Sequence, residues 1–226
     1  VAAPKRQPAA SAVTPRRPDE VTAALRAAGI AVAPTGLAHG TVTAVADGRP
    51  IEITTLRRDV ATDGRHATIA FTTDWREDAA RRDFTINAMS MDAAGNVWDW
   101  FGGREDLARG VVRFVGDPAT RLAEDYLRAL RFFRFHARYG HGPPDAAALA
   151  AIRAAVPGLA ILSAERVWSE LKRILAAPDP RDAVRLMDET GVLAAVLPEA
   201  VARPRLEALV AAGAPADPLL RLAALC

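Results

Sequence analysis

The sequence predicts an α/β head, a partial mixed sheet with helices, followed by an all-helical continuation. Two observations carry this. Between Gly40 and Leu56, two segments of alternating character flank Asp47-Gly48, the pattern of a β-hairpin. Beyond Gly116 the apolar residues recur at helical spacing instead.

Taken in order, residues 1–18 hold Pro4, Pro8, Pro15 and Pro18 among Ala and Arg, show neither period, and are expected to be poorly ordered. Asp19 to Ala28 reads as a short amphipathic helix closed by Gly29. In the hairpin, Gly40 to Ala46 forms the first strand and Ile51 to Leu56 the second, with Glu52, Thr54 and Leu56 on the face opposite Ile51 and Ile53. A helix is expected near Asp78 to Ser90, then a short strand at Asn96 to Asp99 before Phe101-Gly-Gly103. Asp117-Pro118 pairs a capping acid with Pro at the first helical position, which starts a helix running to about Tyr139. Further helices follow at Asp145 to Ala155, Ser163 to Ala176 and Pro180 to Thr190. The chain therefore divides into 1–18, a head at 19–116, a helical neck at 117–176 and the start of a further helical body at 177–226. It stops inside an apolar helical pattern, Leu219 to Cys226, so a piece of a longer protein is expected.

Composition bounds the function classes. The 226 residues carry a formal net charge of only +2, so binding of nucleic acid must come from local clusters of arginine. One cysteine, Cys226, excludes a disulfide framework and a cysteine-based metal site, and points to a reducing cytoplasm. No apolar run reaches the roughly 20 residues that span a bilayer. No membrane partner is expected.

The chemistry concentrates on the helix from Glu124 to Arg134. Asp125, Arg128, Arg131 and Arg134 recur every third position and form one winding stripe beside Leu127, Leu130 and Phe133. Three successive arginines repel one another, and Glu124 with Asp125 are too few to satisfy them all, so a triphosphate or an RNA backbone is the expected counter-anion. A solvated face with spaced ion pairs is the alternative. Asp125 and Arg128, a turn apart, offer a nucleobase edge one acceptor and one donor. Upstream, Arg81, Arg82 and Asp83 stand at a strand-to-helix junction, where they suit phosphate and ribose hydroxyls. A helix N-cap at Asp83 with Asn87 exposed is the plainer reading. His39, His66, His136 and His141 lack metal-ligand spacing, and Trp75, Trp98, Trp100 and Trp168 suit packing better than base stacking. Arg153, Arg166, Lys172 and Arg173 on the later helices fit either a tRNA backbone or a solvated face.

In this order the residues resemble the tRNA nucleotidyltransferase and poly(A) polymerase family of the bacterial and eukaryotic type, which includes CCA-adding enzymes. The resemblance runs from about Asp19 to the end. It rests on Gly36-Leu-Ala-His-Gly-Thr41, Glu52-Ile-Thr-Thr-Leu-Arg57, Thr62-Asp-Gly-Arg65, Arg81-Arg-Asp-Phe-Thr-Ile-Asn87, Asp99-Trp-Phe-Gly-Gly103, Val112-Arg-Phe-Val-Gly116, Glu124-Asp-Tyr-Leu-Arg128 and Glu165-Arg-Val-Trp168. It implies a nucleotidyltransferase head and template-independent addition of C and A to a tRNA 3′ end, with CTP and ATP as substrates and Mg²⁺ as cofactor; no DNA partner is expected. By the same resemblance Arg81, Arg82 and Asp83 contact ribose and phosphate, and Asp125 and Arg128 read the base with Glu124 orienting them. Arg131 and Arg134 take the triphosphate. Asp99, Gly102 and Gly103 belong to a flexible element, and Glu52 is a supporting carboxylate.

The sequence departs from the family in one respect. The family's Gly-Gly-x-Val-Arg-Asp loop and Asp-x-Asp pair are absent, and Pro8 to Pro15 carries small neutral residues where carboxylates belong. Two-metal transfer needs such carboxylates, and Glu52 alone does not replace them. No metal ligand set is assigned. Three readings follow: a tRNA nucleotidyltransferase, a noncatalytic nucleotide- or RNA-binding relative, and a poly(A) polymerase. A head without its first strands is also expected to expose a sheet edge and to be marginally stable.

Overall fold

The computed structural model describes residues 10–33, 36, 40–62, 67–201 and 203–226, and the chain forms two compact units that meet in sequence at Arg81 and Arg82. Leu37 to His39, Asp63 to Arg65 and His66 lie outside the described residues.

The first unit opens with a strand that the sequence did not suggest. Residues Ala10–Thr14 form β1, which runs parallel to a later strand and corrects the expectation of a poorly ordered segment over this stretch. Ala, Ser and flanking Pro give β1 little strand propensity of its own. Its ladder partners supply the order. Helix α1, Pro18–Ala27, follows with Pro at its first position and the Glu20 carboxylate accepting the Arg17 N–H at 2.8 Å. Strands β2 (Ala31–Ala33), β3 (Thr41–Ala46) and β4 (Arg49–Thr55) complete a sheet of order β1-β4-β3-β2. β3 and β4 are the expected hairpin, paired from Thr41↔Thr54 to Ala46↔Arg49. Its turn places Asp47 and Gly48 at φ 50° and 71°, left-handed values that Asp tolerates and Gly adopts freely. Because β1 lies along β4, the ends of this sheet are β1 and β2.

Two strands that the sequence reading omitted, β5 (Arg57–Thr62) and β6 (Ala67–Phe71), pair antiparallel as a separate ladder. The helix expected over Asp78 to Ser90 is shorter and earlier. It is α2, Trp75–Ala80, with Asp74 accepting the Arg76 N–H at 2.8 Å as its cap. Arg81 ends the unit. Its Nε donates to the Arg57 carbonyl at 2.9 Å, and its Nη2 donates to buried Asp78 at 2.7 Å.

The second unit begins with a bend at Arg82 and Asp83, and the extended Phe84 bridges antiparallel to Phe114. A single 3₁₀ turn, Thr85–Asn87, stands where helix was expected. Asn87 is its reason, since its Oδ1 accepts the Phe84 N–H at 3.0 Å and closes the turn locally. Short strands β7 (Ser90–Met91) and β8 (Val97–Trp98) pair, and Trp98 is 46 % exposed. Helices α3 (Gly103–Arg109), α4 (Pro118–Glu124), α5 (Leu127–Tyr139), α6 (Ala146–Ala155), α7 (Ala164–Leu175) and α8 (Arg181–Glu189) follow, then α9 (Val192–Val196), α10 (Arg203–Ala211) and α11 (Pro218–Leu225).

Packing divides the chain between Arg81 and Arg82, while the change to helix falls near Gly116. Phe84, Val112 and Phe114 are buried in one apolar core with Leu122, Leu130, Phe132, Ile152, Ile174 and Met187 from the helices. The Phe84 ring lies 4.9 Å from that of Phe114 and 5.0 Å from that of Phe135. Each Phe buried this fully contributes about 1.5–3 kcal/mol. Residues 82–116 therefore belong energetically with the helices. Among the described residues no helix is long and apolar enough to cross a membrane.

Candidate functional site

The stripe expected on one continuous helix is split between two. α4 ends at Glu124, Asp125 is extended at φ −158° and ψ 107°, and α5 starts at Leu127. Two contacts hold the break, one local and one from a residue distant in sequence. The Asp125 Oδ1 accepts the Leu127 N–H at 3.1 Å, capping α5, and the Tyr126 ring occupies the space that a side chain at Gly158 would need. Asp and Tyr are compatible with helix, so periodicity alone ran through the break.

Around it lies a web of opposite charges. Asp83 is 5 % exposed; its Oδ1 accepts from Arg128 Nε at 2.9 Å and its Oδ2 pairs with Arg131 at 2.7 Å. Glu124 receives Arg121 Nη1 at 2.8 Å and also Arg128 Nη1, which donates to the Arg121 carbonyl at 2.7 Å as well. Burial works against the charge on Arg128, but Glu124 and Asp83 outweigh it and raise its pKa. Arg121 reaches back through Nη2 to the Arg82 carbonyl at 2.6 Å. The Arg82-Asp83 segment is thereby tied to both α4 and α5.

Two further pairs come from α7. Arg166 Nη2 donates to both oxygens of Asp125, at 3.0 and 2.9 Å. Glu170, 5 % exposed, pairs with Arg134 Nε at 2.6 Å. Burial, then the neighbouring charges of Arg131 and Arg173, lower the Arg134 pKa against the pull of Glu170. The repulsion among Arg128, Arg131 and Arg134 is thus offset by carboxylates of the chain itself. This corrects the expectation that an external anion must do it. Asp83 and Glu170 escaped the count because they are distant in sequence.

The structure brings Asp83, Glu124, Arg128 and Arg131 together and pairs Asp125 and Arg134 with α7. Arg121 and Glu170 were missed; Arg121 stands three residues before Glu124, an ion-pair spacing visible in the sequence. Asp83 is not a helix cap. Arg81 is taken by Asp78 and the Arg57 carbonyl within the first unit. His136 is buried with its Nε2 2.7 Å from Asp182, and Trp168 packs against the core.

The segment expected to be flexible is densely bonded. Asp99 accepts from the N–H groups of Phe101, Gly103 and Arg104 at 3.2, 2.9 and 2.9 Å, and Arg113 Nη2 donates to the Phe101 carbonyl at 3.0 Å. A side chain at Gly103 would place its Cβ 2.2 Å from the Thr85 carbonyl oxygen, so only glycine fits. Asp99, Gly102 and Gly103 lie inside the second unit.

Glu52 belongs to the first unit and is exposed on β4, with Ser11 of β1 and Thr43 of β3 as its register partners. Two Mg²⁺ ions demand several carboxylates. Among the described residues no group of three or more His, Cys, Asp or Glu side chains is placed to hold a metal. This donor set does not fit the pair of metals that the resemblance implies.

Comparison with known proteins identifies the family. The family model described as "Poly A polymerase head domain" matches residues 6–113, and one described as "Probable RNA and SrmB- binding site of polymerase A" matches residues 144–203. The chain belongs to the tRNA nucleotidyltransferase and poly(A) polymerase family. The CCA tRNA nucleotidyltransferase 1, mitochondrial, of Danio rerio is 44% identical over 182 residues, 79% of this chain and 42% of that protein. The Homo sapiens protein of the same name is 48% identical over 159 residues, 70% of this chain and 37% of that protein. The crystal structure of the Bacillus stearothermophilus CCA-adding enzyme in complex with CTP matches with a TM-score of 0.76 at 34% identity, covering 88% of this chain and 47% of that one. The chain spans less than half the length of the curated relatives it matches.

Proposed function

We propose that this chain serves nucleotidyl transfer to a tRNA 3′ end, selecting CTP and ATP without a nucleic-acid template. The observation that carries the reading is how Asp125 and Arg128 are held. Arg128 has Nε and Nη1 engaged by Asp83, Glu124 and the Arg121 carbonyl, which leaves Nη2 as the donor for a ligand. Among the described residues Asp125 Oδ2 accepts only from Arg166, and it retains capacity for another donor. Cytosine and adenine each present an exocyclic amino donor beside a ring-nitrogen acceptor. Uracil and guanine present a carbonyl beside a ring N–H, so each polar atom would meet its like. Arg131, one-third exposed, and Arg82 suit the triphosphate; Arg134, paired with Glu170, suits it less. Arg81 is a brace in this reading rather than a ligand.

The test is incorporation of CTP and ATP into tRNA lacking its 3′ end, with Mg²⁺ supplied. Addition of C then A supports the proposal, and addition of A alone supports tailing.

A second reading is favoured by one observation. Beside Glu52 the adjacent strand carries Ser11, a hydroxyl where a second carboxylate would complete a cation site. On this reading the chain selects and holds a nucleotide without transferring it. Binding of CTP in the presence of a chelator, with no incorporation, is its expected signature.

A further inference from the structure

We infer that Arg166 is a specificity-determining positioning residue, which sets the plane of the Asp125 carboxylate and so the choice of base. The inference rests on the nucleotide reading above and deepens it.

Asp125 sits in the two-residue gap between α4 and α5, where its carbonyl accepts the Arg128 N–H at 3.0 Å but its backbone is not helical, at φ −158° and ψ 107°. Its side chain has two soft torsions, and a carboxylate free to turn would present either oxygen to a base. Two contacts remove that freedom. The Leu127 N–H fixes Oδ1, and a single Arg166 nitrogen lies nearly equidistant from Oδ1 and Oδ2. Oδ1 accepts twice and Oδ2 once, so the two oxygens are no longer equivalent.

The pair is too open to serve mainly as a stabilising bridge. The Arg166 side chain is 36 % exposed and that of Asp125 23 %, a setting in which an ion pair adds little to folding stability. Arg166 enters from α7, one turn before Glu170, which pairs with Arg134. α7 thus supplies an arginine to the Asp125 carboxylate and a carboxylate to Arg134. Its residues 166 and 170 touch the site through other side chains.

The experiment measures binding of CTP, UTP and inorganic tripolyphosphate to the full chain by isothermal titration calorimetry. Four proteins are compared: the unaltered chain, Asp125→Ala, Arg166→Ala and Arg166→Lys. The unaltered chain should prefer CTP to UTP, and Asp125→Ala should lose that preference. Arg166→Ala should reduce the CTP-to-UTP ratio by about tenfold, the scale of one charge-assisted hydrogen bond. Tripolyphosphate, which has no base, should bind it as it binds the unaltered chain, and Arg166→Lys should recover most of the ratio. The inference is overturned if Arg166→Ala keeps the ratio while Asp125→Ala loses it. It is equally overturned if Arg166→Ala weakens all three ligands alike, the mark of a general structural role. No CTP preference in the unaltered chain, or one indifferent to Asp125→Ala, would remove the nucleotide reading and the inference together.

Discussion

Asp78 and Asp83 lie close in sequence, are both buried and both hold arginine, yet they belong to different units and different kinds of contact. Asp78 pairs with Arg81 at i,i+3 and also accepts the Arg57 N–H at 3.1 Å; its bonds brace the end of α2 against β5. Asp83 divides its oxygens between Arg128, 45 residues away, and Arg131. One aspartate finishes an element, while the other joins segments that meet only when the chain is folded. Long-range pairs join the segments of the candidate site, to which Glu124 adds local pairs with Arg121 and Arg128, whereas the Asp78–Arg81 pair stiffens the frame.

The largest expected effect tests that contrast directly. Asp83→Ala removes the long-range carboxylate from two arginines and should cost about 3–5 kcal/mol, as breaking a buried pair does. Asp78→Ala should cost less, about 1–3 kcal/mol, because Arg81 keeps the Arg57 carbonyl. Urea unfolding followed by tryptophan fluorescence measures both. Equal losses would erase the distinction between frame and site.

A smaller effect is expected at Asp99. Partial burial opposes its charge, but the N–H groups of Arg104, Gly103 and Phe101 prevail and hold its pKa below the ordinary 3.8. The folded-state value is depressed, so the stabilisation is complete above 3.8 and fades as pH falls through the lower folded value. Asp99→Ala should therefore cost about 1 kcal/mol at neutral pH. The gap between the two proteins should close on acidification. A gap that widens in acid would show that the capping bonds do not set its contribution.

The smallest effect sharpens the other end of the scale. Arg109 meets Glu105 at 3.5 Å, with side chains 63 % and 76 % exposed. Arg109→Ala should shift stability by less than about 0.5 kcal/mol. A loss comparable with that at Asp78 would mean that arginine content, rather than burial and reach, governs this molecule.

Local signals made much of the fold legible. Asp47-Gly48 gave the hairpin, and α6, α7 and α8 match their periodic segments within a residue or two at each end. β1 was not legible because Ala10-Ser-Ala-Val-Thr14 becomes a strand only through its pairing with β4. The break at Asp125 was hidden for a related reason: it is secured by packing on Gly158 and by Arg166, neither of which is near in sequence. In the site, the arginines could be named but their partners could not. Glu170 looks like any helical glutamate until Arg134 is folded against it.

The contact of Gly103 with Thr85 has a mechanical consequence. Thr85 also donates its hydroxyl to Asp106 at 2.6 Å and its N–H to the Arg113 carbonyl at 2.9 Å, and it stands two residues from Asp83. The Asp99 turn therefore has no slack with which to absorb motion on its own. A side chain at position 103 would meet the Thr85 backbone directly, two residues from the carboxylate that Arg128 and Arg131 share.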